Sequence, residues 1–125
     1  KLLSEKLTKH GTQVWLLNTG WSGGGFGVGK RIALPLTRTM ISAVLGGTLA
    51  HVETHTHPIF GVEIPNEVSG VPQEVLNPEL SWSDQSAYKE EAVSLAQKFT
   101  QNFEKYRDSV SLEVAEAGPR IHQTK

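Results

Sequence analysis

The 125-residue sequence predicts a mixed α/β domain of short strands and three main helices. Three observations carry that expectation. Val14, Trp15, Leu16 and Leu17 form a short apolar run, and Phe60, Val62 and Ile64 alternate further on; both patterns suit strands. Met40, Ile41, Val44 and Leu45 recur at helical spacing. Tyr88, Ala92, Leu95, Ala96, Phe99, Phe103 and Tyr106 step by three or four, which makes the longest helix.

Taken in order, Leu2, Leu3 and Leu7 with polar residues between them read as a short amphipathic helix ending at Gly11. Cations in its last turn complement the helix dipole, and His10 beside the glycine reads as a solvated residue. Residues 13–18 then form a strand whose four-residue apolar core predicts burial on both faces. A glycine-rich stretch follows. Ile32 and Leu34 alternate around Ala33 in an extended segment that Pro35 closes. The second helix covers residues 37–45, with the Thr37 hydroxyl placed to cap it and Gly46-Gly47 ending it.

Residues 51–57 read as a polar strand with His51, His55 and His57 on one face. A second strand spans 59–65. Between Pro65 and Pro78, prolines and Gly70 break regular structure, leaving a covering loop anchored by Val68, Val71, Val75 and Leu76. Ser83 or Asp84 caps the long helix, whose aromatic and aliphatic stripe is core while Lys89, Glu90, Gln97, Gln101 and Glu104 face water. Val110, Leu112, Val114 and Ala115 make a weak last element stopped by Gly118-Pro119, and residues 120–125 read as a frayed end.

Composition narrows the function classes. Charged residues are 20% and apolar ones 38%, as in an ordinary folded domain. A formal net charge of −1 leaves no broad electrostatic footprint for nucleic acid. No apolar run approaches the ~20 residues of a membrane span. With no cysteine, disulfides, thiolate catalysis and thiolate zinc sites are excluded, and the cytoplasm is the default compartment. Nothing at the start resembles a signal peptide and Lys1 is not an initiator methionine, so the chain is expected to begin inside a larger polypeptide.

The most informative stretch is residues 18–32, which holds six of the 12 glycines and runs into Lys30-Arg31. Glycine loses more backbone entropy on ordering than other residues, so such density fits positive φ or close approach to a ligand. Two cations beside free backbone N–H groups suit an anionic or nucleotide ligand. A flexible lid with two solvated cations fits the same residues. Two phosphate-binding motifs nearly match and both fail. Gly24-x-x-x-x-Gly29-Lys30 follows a P-loop up to the last position, where Arg31 replaces the Ser/Thr that Mg²⁺ needs. A P-loop also opens directly into a helix, whereas residues 32–35 read as extended. No register gives G-x-G-x-x-G followed by a helix.

The block Asn18-Thr19-Gly20-Trp21-Ser22-Gly23-Gly24, then Gly27-Val28-Gly29-Lys30-Arg31-Ile32, then Thr37-Arg38 resembles the C-terminal region of ATP-dependent phosphoenolpyruvate carboxykinases. The likeness continues through Phe60-Gly61-Val62-Glu63-Ile64-Pro65, Gly70-Val71-Pro72 and Leu76-Asn77-Pro78 into the long helix. It implies that residues 1–125 are a single partial domain, the C-terminal portion of a larger ATP-binding catalytic domain. It also implies the parent reaction: oxaloacetate and ATP give phosphoenolpyruvate, CO₂ and ADP, a decarboxylating lyase step of gluconeogenesis. The family's P-loop, its Mg²⁺ and Mn²⁺ ligands and its oxaloacetate contacts lie outside this segment. No catalytic or metal residue is therefore assigned here, and the chain alone is expected to be inactive.

What carries over is the nucleotide-base side of the site: Arg31, Ile32 and Thr37 match residues that contact ATP in the family. The residue types suit the task. Isoleucine packs on a flat base, a guanidinium stacks on an aromatic ring or pairs with phosphate, and threonine hydrogen-bonds a base edge. Lys30 matches no assigned contact. The rest of the same polypeptide is the expected partner, without nucleic acid or membrane. Two other classes compete: a stand-alone nucleotide- or anion-binding module, and a metal-binding domain using His51, His55 and His57.

Overall fold

The computed structural model describes residues 2–25 and 27–121. Helix α1 (Leu2–His10) forms where the leucine spacing predicts it, with Lys9 and His10 in its last turn and His10 exposed. Residues 13–18 depart from expectation, because they join neither of the two sheets. Trp15 and Leu17 turn inward against the core, while Val14 and Leu16 stay 61% and 85% exposed. An apolar run buries both faces only between neighbouring elements. Here one side is covered and the other open.

The glycine-rich stretch folds as a hairpin of β1 (Trp21–Ser22) and β2 (Lys30–Arg31), with Trp21 opposite Arg31 and Ser22 opposite Lys30. Helix α2 (Leu34–Leu45) starts three residues earlier than the expected 37. Pro35 explains the difference, since its fixed φ and missing N–H suit a first helical turn better than the end of a strand. Ala33 is therefore the cap residue, and Thr37 lies inside the helix instead of capping it.

The histidine segment is shorter than predicted. Residues Thr48–His51 wind into a 3-10 turn, so His51 leaves the strand face shared by its neighbours. Strand β3 covers Thr54–Thr56 alone, paired antiparallel with β4 (Glu63–Pro65) in the register Thr54–Pro65, His55–Ile64 and Thr56–Glu63. Pro58 to Gly61 make the connecting turn, so the strand expected from 59 begins at Glu63. On the exposed face Glu63 accepts hydrogen bonds from Thr56 (2.5 Å) and Thr54 (2.7 Å), which hold its carboxyl below the usual range.

The core is Ile32, Met40, Leu49, Val68 and Val71, with Trp15, Leu17, Val75 and Leu76 packed around it. The valines of the 66–76 segment anchor it as predicted, Val68 bridging to Val71 ahead of the short α3 (Gln73–Leu76). Asp84 then caps α4 (Gln85–Phe103), accepting from the N–H groups of Ser86 (2.8 Å) and Ala87 (3.1 Å).

The α4 stripe is only partly core. Ala92 and Ala96 are buried, but Leu95, which borders a cavity, and Phe99, which Phe60 meets edge-on, are 42% and 53% exposed. Tyr106 falls beyond the helix, in a 3-10 turn over Glu104–Ser109. Helix α5 (Leu112–Glu116) is capped by Ser111. Arg120, expected in the frayed end, donates its backbone N–H to the Ile59 carbonyl at 2.6 Å; residues 122–125 lie outside the described residues. No helix among the described residues is long and apolar enough to cross a membrane.

Candidate functional site

Asn18 begins the corner that carries the predicted site. Its side-chain oxygen accepts from the Gly20 N–H at 2.9 Å and its amide donates to the Trp21 carbonyl at 3.2 Å. A side chain that bonds its own backbone two residues on sets a turn. The chain is thereby aimed into β1. Ile32 donates its N–H to the Gly20 carbonyl at 2.8 Å, which extends the pairing one step past β2 and fixes where α2 starts.

Glycine is needed inside this hairpin for its own closure. A Cβ on Gly29 would lie 2.7 Å from the Gly24 carbonyl oxygen and 3.0 Å from that of Ser22. On Gly24, at φ +154°, it would meet Val28 and the Gly29 nitrogen at 2.9–3.0 Å. The N–H groups of Val28 and Gly29 both donate to the Gly25 carbonyl, at 3.1 and 3.0 Å. The hairpin is also tied to the far half of the chain: Ser22 Oγ lies 3.1 Å from Ser81 Oγ. Its described residues are thus held by their own backbone and by Ser81.

The three predicted contacts occupy one corner, where β2 passes into α2, but differ in access. Arg31 is exposed on β2, across from Trp21. Ile32 is 9% exposed and belongs to the core with Met40, Leu49, Val68 and Val71. Thr37 is 8% exposed in the first turns of α2, its N–H donating to the Ala33 carbonyl at 3.2 Å. The corner thus combines one exposed cation with two buried side chains. Packing of the broad Ile32 side chain on a ligand is restricted, because most of it is already in contact with protein.

A separate cavity of about 1050 Å³ opens between residues 13–18, the β3–β4 ribbon and the start of α4. Its walls are mostly apolar, with Trp82, Phe60, His57 and Tyr88 among them. Arg31, Ile32 and Thr37 do not line it.

The histidines do not converge. His55 bonds Asn66 (Nδ1 to Oδ1, 2.8 Å), whereas His57 is half-buried and turned toward Tyr88 on α4. No group of three or more His, Cys, Asp or Glu among the described residues could hold a metal ion. Among the tertiary links that sequence reasoning does not reach are Ser22–Ser81 and His57–Tyr88. Both join residues too far apart in the chain for any local periodicity to reveal.

Residues 1–74, more than half of the chain, match the family model described as phosphoenolpyruvate carboxykinase. Three relatives are each named phosphoenolpyruvate carboxykinase (ATP). That of Thermus thermophilus is 51% identical over 120 residues, and that of Rubrobacter xylanophilus 47% identical over 120, each match covering 96% of this chain. That of Bacillus mycoides is 52% identical over 121 residues, covering 97%. In all three cases the chain spans only 23% of the relative's length.

Proposed function

The chain belongs to the phosphoenolpyruvate carboxykinase family, and from that premise we propose that it contributes the ATP-contacting side of an ATP-dependent carboxykinase site. The parent protein converts oxaloacetate and ATP to phosphoenolpyruvate, CO₂ and ADP, a lyase step of gluconeogenesis in the cytoplasm. Residues 1–125 are the C-terminal portion of its larger catalytic domain. The observation that carries this reading is the likeness over 96% of the chain, together with the family match over residues 1–74, which takes in the hairpin and the α2 corner.

At that corner Arg31 supplies an exposed cation, suited to an adenine face or a phosphate oxygen. Ile32 and Thr37 offer edges instead of broad faces. Their part is an apolar floor with a hydroxyl at its rim, beneath the base. Mg²⁺ and Mn²⁺ belong to the parent enzyme, and no described cluster here fits them. Phosphoryl transfer rests on a phosphate cradle and metal ions that neutralise developing charge. The parent enzyme should therefore form phosphoenolpyruvate from oxaloacetate only when ATP is supplied, and the 125-residue chain should form none. Turnover by the purified chain, or an ATP-independent parent, would overturn the reading.

A further inference from the structure

His57, just past the end of β3, makes contacts that fix where its proton sits. Its Nδ1 lies 3.2 Å from the backbone nitrogens of both Ile59 and Phe60, and its Nε2 lies 3.1 Å from the Tyr88 hydroxyl on α4. Peptide N–H groups only donate, so Nδ1 is the acceptor and carries no proton. The single proton of the neutral ring is then on Nε2, directed at Tyr88. A second proton could go only to Nδ1, where it would face two N–H groups and abolish both bonds. We propose that His57 is an acid-released pin of the turn that rests on α4: protonation of Nδ1 removes its bonds to Ile59 and Phe60, which close that turn, while Nε2–H still reaches Tyr88. The proposal does not rest on the nucleotide reading, since none of these residues belongs to the Arg31 corner.

The surroundings make the pin a joint between elements and not a local ornament. The Phe60 ring lies 5.1 Å from the imidazole and meets Phe99 of α4 edge-on at 6.4 Å, while Trp82 packs edge-on against Tyr88 at 5.7 Å. The same turn receives the Arg120 N–H on the Ile59 carbonyl. His57 and Tyr88 both stand in the wall of the 1050 Å³ cavity, so releasing the pin loosens that wall.

The ionisable groups around the imidazole are known element by element. His55 comes from the same strand. Glu79 comes from the 3-10 turn over Pro78–Ser81 and is itself paired at 3.4 Å with Lys89 of α4. Glu63 of β4 and Glu91 of α4 line the same cavity. Burial, then the neighbouring His55, push the His57 pKa below its ordinary value, while Glu79 pulls weakly the other way. Burial and Glu79 raise that of Tyr88, whose hydroxyl stays protonated throughout. A depressed native pKa means that the pin's contribution is whole above about pH 6.5. It is lost as pH falls through the lower native value.

The test uses the 125-residue chain, with ring-nitrogen NMR of the imidazoles and urea unfolding midpoints at pH 7.5 and 5.5. His57→Asn is the decisive variant. Its side-chain oxygen takes the place of Nδ1, can accept both N–H groups, and does not titrate. In the wild type, His57 should show the Nε2–H tautomer alone and titrate below the ordinary value, and the midpoint should fall on acidification. His57→Asn should lose less of its midpoint between the two pH values. A mixed tautomer, titration at or above the ordinary value, or an undiminished acid loss in His57→Asn would each overturn the proposal. Should His57→Asn fail to fold, the wild-type ring signals alone decide.

Discussion

The hairpin corner and the 13–18 segment are adjacent in sequence and opposite in character. Both are rich in residues that invite a partner: glycines and cations in one, an unbroken apolar run in the other. The corner closes on itself. Asn18, the Gly20 carbonyl, the Gly25 carbonyl and Ser81 satisfy its polar groups, and Ile32 anchors it in the core. The 13–18 segment covers the core with Trp15 and Leu17 but leaves Val14 and Leu16 in water beside a wide apolar cavity. One region's demands are met by its own backbone and by Ser81 from the far half of the chain; the other's are met on one side only.

Substitution should expose that difference. The largest stability loss is expected from Gly29→Ala, because the added Cβ meets two carbonyl oxygens of the hairpin backbone and no flexible side chain can yield. A cost of about 2–3 kcal/mol is expected. A urea midpoint unchanged from wild type would show that the hairpin is looser than described. Next is Asp84→Ala, which removes the acceptor of two N–H groups at the start of α4 and should cost about 1 kcal/mol by the same measurement.

Leu16→Ser should change the stability of the 125-residue chain by no more than about 0.5 kcal/mol, because the leucine is almost wholly exposed. If the longer protein covers that face, the same change there should cost several times more. Equal effects in both would contradict the view that the face is covered in the longer protein.

The same contrast explains what could be read from the sequence. Helices α1, α2 and α4 were legible because three- to four-residue periodicity and the Asp84 cap are local signals. The valines at 68 and 71 were legible because aliphatic residues in a proline-broken loop have little other use. The start of α2 is not legible, because Pro35 fits both a strand end and a first helical turn. Residues 13–18 kept the sequence pattern of a buried strand but not its pairing, since pairing is supplied by other elements.

The histidine face dissolved for a related reason. Parity places side chains only while the backbone stays extended, and residues 48–51 do not. The candidate site was legible as a motif but not as geometry. Nothing in the residue types announces that Ile32 is committed to the core while its neighbour Arg31 is exposed. The alternation of one exposed and one buried residue emerges only once β2 is seen leading into α2.

The most direct measurement of the central claim is the ATP dependence of the full-length enzyme carrying Arg31→Ala. A hydrogen bond to a charged group contributes about 1.5–3 kcal/mol. The Michaelis constant for ATP should therefore rise tenfold or more, at about 1.4 kcal/mol per factor of ten. That for oxaloacetate should stay within about twofold, since removing one contact to ATP leaves binding of the other substrate intact. An ATP constant equal to that of the wild type would contradict a nucleotide role for this corner.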